Sequence, residues 1–436
     1  MRINLDKKLL NCKLKINIHD PKKDIGVSRY LNDNKVWEPF ETKIFLDLIK
    51  NKSFFLDIGA NIGYYSLIAS RQMADDSKIM SFEPDDKNFK LLTKNIKENK
   101  ATKIIKYKLA CSDKIGFSAL KKSKDNLGDH RLENSQNVKF KKIKTTTVDT
   151  ISQNEKKKPD IIKIDTQGAE VLIMKGMKNW LSQFSNETVL IFEFWPYGLF
   201  QQNHTIKNLI SLFKNHSFNY FAIFEETSTF IQCDLDDLER WSKSIMNIKS
   251  KSYTNILVSH PNSKIIKKLK KKYLNFDNKF ELNKIYSAVR NKKIHRNIIP
   301  VGWSFPDNKG LWNNGNYSEI IIKKNKLFDE KNKKYFLYLK IHPFLNSKLN
   351  KVLKILVKIN GIETKLIKLN KMNFYDFHIE IPKKVVKKNM PKLIISFKYF
   401  DLLSPFEVDR SNDNRKLSMF LNKFGILDNN VYFSKR

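Results

Sequence analysis

The chain has 436 residues, 41% of them hydrophobic and 12% aromatic, which is enough apolar material for two or three packed domains. No apolar run reaches the ~18 residues of a membrane span, the opening Met1-Arg2-Ile3-Asn4-Leu5-Asp6-Lys7-Lys8 lacks the apolar centre of a signal peptide, and three scattered cysteines, Cys12, Cys111 and Cys233, make neither a disulfide framework nor a zinc spacing. The formal charge of +37 comes from 82 basic residues of which only ten are Arg, the residue of bidentate base and phosphate recognition, so it argues for a biased base composition rather than a specific nucleic-acid partner.

These features predict a cytoplasmic protein, since isolated cysteines suit a reducing compartment. Residues 1–50 read as a lead-in. Within it, apolar residues at 37, 40, 44, 45, 48 and 49 have helical spacing, and Pro39 suits the first turn of that helix. From residue 54 onward strands and helices alternate. Strands are expected at 54–58, 79–83, about 104–110, 160–165 and 189–194. Helices are expected from Gly63, over 85–99 and over 169–182. The uninterrupted apolar runs fit strands buried on both faces of a parallel sheet. Late strands near 219–224 and 254–259 fit an antiparallel end of the same sheet. The excursion 114–149 shows no clear helix and falls where the carboxyl ends of the strands open, placed to cover a ligand.

Residues 261–299 form a Lys-rich connector with helical character. Beyond residue 300 short alternating segments appear at 318–323, 335–341, 353–359, 374–381 and 393–397, with Asn360-Gly361 as a hairpin turn. This half reads as an all-β sandwich. The expected division is therefore a lead-in (1–50), an α/β domain (51–260), a linker (261–299) and an accessory β-sandwich (300–436). Trp303 and Trp312 are candidates for stacking on sugar rings or for pinning the edge of that sandwich, and Asp413 with Arg415 suits an ion pair at a turn.

The chemistry concentrates at the end of the first strand. Phe54-Phe55-Leu56-Asp57-Ile58-Gly59-Ala60-Asn61-Ile62-Gly63 runs an apolar strand into a glycine turn and then a helix, and twenty residues on comes Glu83, at the end of the second apolar run. Such a layout holds a nucleoside: glycines let the backbone approach, and the acid accepts bonds from two ribose hydroxyls. The spacing is Asp-x-Gly-x-x-x-Gly, which differs from the dinucleotide pattern. Asp57 can orient the turn and receive an amino group, and Ser112-Asp113 follows the third strand near where a base would lie. A site rich in acids suits a cationic sulfonium better than a pyrophosphate, which seeks unopposed N–H groups. Asp165 ends the fourth strand and Glu193 the fifth, both facing the switch-point crevice. They are candidates for a base or for binding acceptor hydroxyls, with Trp195-Pro196-Tyr197 alongside. His130 in the excursion is a further candidate base, His204 a weaker one, and Lys163 is expected to pair with Glu170 or a neighbouring acid. No metal-ligand constellation is present in the sequence.

Several blocks in order carry a resemblance. Trp37-Glu38-Pro39, Leu56 to Ser66, Phe82-Glu83-Pro84, Ser112-Asp113 and Ile162-Lys163-Ile164-Asp165-Thr166-Gln167-Gly168-Ala169-Glu170 are similar to those of the FkbM-type S-adenosylmethionine-dependent methyltransferases. Over residues 37–200 the resemblance implies a class I methyltransferase fold, a Rossmann-like doubly wound sheet. It also implies S-adenosylmethionine held by Asp57, Gly59, Asn61, Gly63, Glu83, Ser112 and Asp113, and O-methyl transfer to a hydroxylated acceptor, a saccharide or glycan precursor. A lipid or other small hydroxyl acceptor is the alternative within the same fold, and a basic nucleic-acid-binding protein the alternative outside it. More weakly, Gly302-Trp303-Ser304-Phe305-Pro306 and its neighbours look like β-sandwich modules of bacterial surface-polysaccharide enzymes.

Overall fold

The computed structural model describes residues 1–50, 52–121, 131–133, 141–225, 228–246, 253–273, 280–288, 298–303, 310–323, 328, 333–386, 392–409 and 416–434. The chain divides into two compact units, Met1–Leu235 with Lys251–Tyr273, and Asp236–Ser250 with Leu274–Arg436. Among the described residues no helix is long and apolar enough to cross a membrane.

The first unit is built on an eight-stranded sheet. In chain order its strands are β1 (Phe54–Ile58), β2 (Lys78–Phe82), β3 (Ile104–Tyr107), β4 (Ile161–Ile164), β5 (Val189–Phe194), β6 (Asn219–Phe224), β7 (Thr229–Cys233) and β8 (Thr254–Ser259). They lie side by side as β7-β6-β8-β5-β4-β1-β2-β3. Strands β1 to β5 pair in parallel, whereas β8 runs antiparallel to both β5 and β6. Every residue of β1, β4 and β5 is buried, which is why these runs carry no polar alternation. The chain leaves β1 toward β2 and β3 on one side and returns to β4 and β5 on the other. The crevice where the order reverses lies at the carboxyl ends of β1 and β4. This is the doubly wound sheet with an antiparallel end that the strand pattern predicts.

Helix α1 (Pro39–Ile49) has the expected proline in its first turn and buries Phe40, Ile44, Phe45 and Leu48. Phe45 meets Phe55 of β1 at 5.3 Å between ring centroids. The first N–H groups of α1, which have no partner within the helix, are taken by Glu225 at 2.9–3.1 Å from the Phe40 and Glu41 amides. Helix α2 (Tyr64–Gln72) follows the glycine turn, and α3 (Asp86–Glu98) is capped by the Asp85 carboxylate accepting from the Lys87 and Asn88 amides.

Local differences from the sequence reading have physical causes. The third strand stops at Tyr107, and Ala110–Cys111 pairs instead with Lys141–Thr146 in a separate small sheet. The excursion supplies that sheet: Gly116–Lys121 runs antiparallel to Lys141–Thr146 and to Arg131–Glu133. The helix expected over 169–182 is two short helices, α4 (Glu170–Lys175) and α5 (Lys178–Ser182), interrupted at Gly176. The backbone there passes so close to the Ser112 carbonyl that a Cβ would lie 2.1 Å from its oxygen. In the connector, Lys264–Tyr273 is a helix resting on α1. The Tyr273 ring is edge-on to Phe40 at 5.7 Å, and Lys272 pairs with Asp47 at 2.6 Å.

The second unit holds two five-stranded sheets. One is ordered Ile285–Ser287, Met419–Asp428, Tyr335–Pro343, Tyr375–Glu380, with Leu311–Trp312 on the second. The other is ordered Ile298–Val301, Tyr317–Lys323, Lys392–Tyr399, Leu353–Ile359, Ile362–Leu369. Alternate residues of both sheets, such as Leu337, Leu339, Ile355 and Ile395, share one apolar core, the arrangement of a β-sandwich. Asn360 and Gly361, at φ 46° and 82°, turn Leu353–Ile359 into Ile362–Leu369, a strand the alternation pattern does not reveal. Trp303 is part of the core: its indole N–H donates to the Glu319 carbonyl at 2.8 Å and its ring is edge-on to Phe397. Trp312 is half-buried against Phe420 and Phe344. Asp413 and Arg415 lie outside the described residues.

Candidate active site

A cleft of about 210 Å³ opens at the carboxyl ends of β1, β2, β4 and β5, where the strand order reverses. Its first wall is the turn after β1. The Gly59 and Ala60 amides both donate to the Phe82 carbonyl at 3.0 Å, tying the turn to the end of β2. Gly59 has φ 84°, and a Cβ there would lie 2.0 Å from the Asp165 carbonyl oxygen, so this residue brings the turns after β1 and β4 together.

Glu83 follows β2 and is 5% exposed. Its two carboxylate oxygens accept from the Asn61 amide at 2.9 Å and the Asp85 amide at 2.8 Å, which fixes it against the glycine turn and at the cleft. Burial, opposed by those amide bonds and aided by the neighbouring Asp85, pushes its pKa from 4.5 up to about 8. Asp57, at the end of β1, is also buried and lines the cleft. It accepts from the Ser66 hydroxyl, and burial raises it to about 6 against that bond and the pull of Lys163.

The second wall is built on β4 and β5. Lys163 lies opposite Asp57 in the strand register. Its ammonium sits 3.3 Å from Glu41 of α1, 3.3 Å from Asp165 and 4.6 Å above the Tyr65 ring. Burial opposes the Lys163 charge, but Glu41, Asp165, Glu38 and Asp57 together hold its proton more firmly than usual. Glu41 also accepts from the Asn255 amide, and the Tyr65 hydroxyl donates to Glu38 at 3.1 Å. Gln167 links the two predicted acids: its amide donates to Asp165 at 3.1 Å and to Glu193 at 3.1 Å. Glu193 is 6% exposed, and its Oε2 has no hydrogen-bond partner among the described residues. Burial, with the charges of Asp165, Glu170 and Glu38, pushes its pKa well above the ordinary carboxylate range. Three residues of the lining hold left-handed backbone without being glycine: Glu38 (φ 40°), Asn61 (φ 50°) and Gln167 (φ 56°). Such strain concentrates where a site over-determines its geometry.

The tertiary structure thus gathers Asp57, Gly59, Asn61, Glu83, Asp165 and Glu193 around one cleft. Gly63 (φ 93°) stands one step back and starts α2, packed so closely on Leu92 that a Cβ would meet its Cδ1 at 2.6 Å. Ser112 and Asp113 bond to each other at 3.0 Å, but the part of that segment lining the cleft is Leu109, Ala110 and Cys111. Lys163 pairs with Glu41 and Asp165 rather than Glu170. Glu170 instead holds the turn, accepting from the Thr166 and Gly168 amides at 3.2 Å. His204 is absent from the cleft lining, and His130 lies outside the described residues. Among the described residues no group of three or more His, Cys, Asp or Glu is arranged to hold a metal ion.

Sequence reasoning passed over Glu38, Glu41 and Gln167 as site residues. Each left a signal. Glu41 is a charge within the apolar face of α1, Glu38 stands in the Trp-Glu-Pro block, and Gln167 stands inside the block that ends β4.

A doubly wound sheet with a glycine turn after its first strand and an acid after its second is an α/β domain of the class I methyltransferase type. Residues 57–220 match the family model described as Methyltransferase FkbM domain. The chain is 27% identical over 141 residues to the hexuronic acid methyltransferase AglP of Haloferax volcanii, a match covering 32% of this chain and 56% of that protein. Among solved structures it is similar to methyltransferase FkbM from Methylobacillus flagellatus KT, with 15% identity, a TM-score of 0.30, and 48% of this chain and 44% of that one covered. It is also similar to an O-methyltransferase from Bacillus cereus in complex with SAH, with 13% identity, a TM-score of 0.27, and 49% and 78% covered. The chain thus spans about half the length of the first two of these relatives.

Proposed function

We propose that the protein is an S-adenosylmethionine-dependent O-methyltransferase that methylates a hydroxyl of a saccharide or glycan precursor. The observation that carries this reading is Glu83, pinned by two backbone amides at the edge of the glycine turn and facing the switch-point cleft. A buried carboxyl with a raised pKa at that place is matched by a ligand bringing hydroxyl donors, and the vicinal ribose hydroxyls are such donors. Asp57 and the surrounding acids favour a cationic ligand. Bound S-adenosylmethionine supplies an electrophilic methyl group on a positively charged sulfur.

The chain's own part is to position an acceptor oxygen in line with that methyl and to take its proton. In this reading Asp165, half-exposed at the cleft and oriented by Lys163 and Gln167, receives the proton, while Glu193 holds the acceptor by hydrogen bonds. The name of the Haloferax relative supports a sugar-derived acceptor. We assign the chemistry to residues 51–260 and an accessory role to the sandwich of residues 300–436.

Calorimetric titration of the full chain with S-adenosylmethionine and S-adenosylhomocysteine tests the reading. Micromolar binding that is lost in Glu83→Ala and Asp57→Ala is expected. Folded protein that binds neither compound would refute it.

A further inference from the structure

The cleft has one sign of charge. Its charged residues among those described are Glu38, Asp57, Glu83, Asp165 and Glu193, with Lys163 as the only cation. Lys163 is not available to a ligand anion: its side chain is 1% exposed and its ammonium is already shared between Glu41 and Asp165 at 3.3 Å each. Among the described residues, the cleft of this chain, whose formal charge is +37, is therefore lined mainly by acids.

The acids divide by strand. Asp57 and Glu83 belong to the end of β1 and the turn after β2, where the proposed donor lies. Glu38, Asp165 and Glu193 stand on the β4 and β5 side, with Gln167 between the last two. Glu193 is 94% removed from solvent, and its Oε2 has no protein partner among the described residues, which is costly for a buried carboxyl unless a ligand group meets it. A hydroxyl or an ammonium does so. A carboxylate or phosphate brought beside Asp165, whose Lys163 partner is already shared with Glu41, meets like charge with no free cation among the described lining residues.

We propose that the β4–β5 half of the cleft selects a sugar ring that is uncharged or amino-bearing as the methyl acceptor and rejects an anionic ring. This rests on the methyltransferase reading above. It separates this chain from the substrate for which the Haloferax relative is named, a hexuronic acid.

The test is saturation-transfer NMR on the full chain loaded with S-adenosylhomocysteine, at neutral pH, with methyl glucoside, methyl glucosaminide and methyl glucuronide as probes. Contact is expected for the first two, and binding of the glucuronide weaker by about tenfold or more. In Asp165→Asn the glucuronide should gain on the glucoside. Equal or tighter binding of the glucuronide by the unaltered protein would overturn the inference. So would S-adenosylhomocysteine binding without contact from any of the three sugars, or a glucoside-to-glucuronide ratio unmoved by Asp165→Asn. Failure of S-adenosylhomocysteine to bind would instead remove the methyltransferase reading, and the inference with it.

Discussion

The Lys163 ammonium lies 3.3 Å from the Glu41 carboxylate, with each side chain 1% exposed, so that a strand at the centre of the sheet and a helix ahead of it meet through a buried ion pair. The pair is embedded among Glu38, Asp57 and Asp165, and the single ammonium offsets their mutual repulsion. Removing Lys163 should be far more damaging than the loss of an exposed ion pair. Lys163→Met is expected to destabilise the protein by about 3–5 kcal/mol, because the acids it leaves are buried and uncompensated. Glu41→Gln leaves the ammonium its Asp165 partner and should cost less. Denaturant unfolding of the two variants compares these effects.

Glu83 makes stability depend on pH. Its pKa is raised from 4.5 to about 8 in the folded chain, so the folded state holds a proton that the unfolded state releases. The contribution is fully present below about pH 4.5 and is lost as pH rises through about 8. In Glu83→Gln that slope should disappear from a plot of melting temperature against pH. Ribose hydroxyls donating to Glu83 favour its ionised form, so binding of S-adenosylhomocysteine near neutral pH should release a proton. Calorimetry in buffers of different ionisation enthalpy measures that release.

Gly59 admits no side chain. A Cβ would fall 2.0 Å from the Asp165 carbonyl, at a φ of 84° that L residues avoid. Gly59→Ala is expected to cost about 2–4 kcal/mol and to part the turns after β1 and β4. Thermal unfolding reads the first effect, and loss of S-adenosylhomocysteine affinity the second.

Gln167 acts through the acids it joins. Gln167→Ala removes both of its bonds, to Asp165 and Glu193, and leaves the Glu83 site untouched. Methyl transfer should fall by roughly tenfold, the equivalent of about one hydrogen bond's worth of positioning, with S-adenosylhomocysteine affinity unchanged. Gln167→Glu, which cannot donate and adds a negative charge, should be worse and should shift the pH profile of the reaction. An unchanged profile in both variants would mark Gln167 as a packing residue only.

In the second unit Trp303 and Trp312 should behave differently. Trp303 is in the core, bonded to the Glu319 carbonyl and packed on Phe397, and Trp303→Ala should destabilise by about 3–5 kcal/mol. Trp312 is half-buried on an aromatic cluster, and its replacement should cost distinctly less in the same unfolding experiment.

Local chemistry by itself determined much of this protein. The mainly apolar runs at 54–58, 161–164 and 189–194, each broken by a single charged residue, announce strands buried on both faces, because such strands have no solvated side to mark with alternating polar residues. Gly59 and Gly63 announce the turn between β1 and α2, because the positive φ and close packing there admit no side chain. The tertiary structure decided the partners. Lys163 and Glu41 are 122 positions apart, and Gln167 reaches Glu193 over 26, so nothing in local spacing joins them. The break at Gly176 arises from the passing Ser112 carbonyl, a contact no helical periodicity records. The strand Ile362–Leu369 escapes detection because most of its residues are exposed or half-exposed, which leaves little apolar alternation to read. Periodicity reports how one element meets its own surroundings; which acids share a cleft depends on how distant elements are brought together.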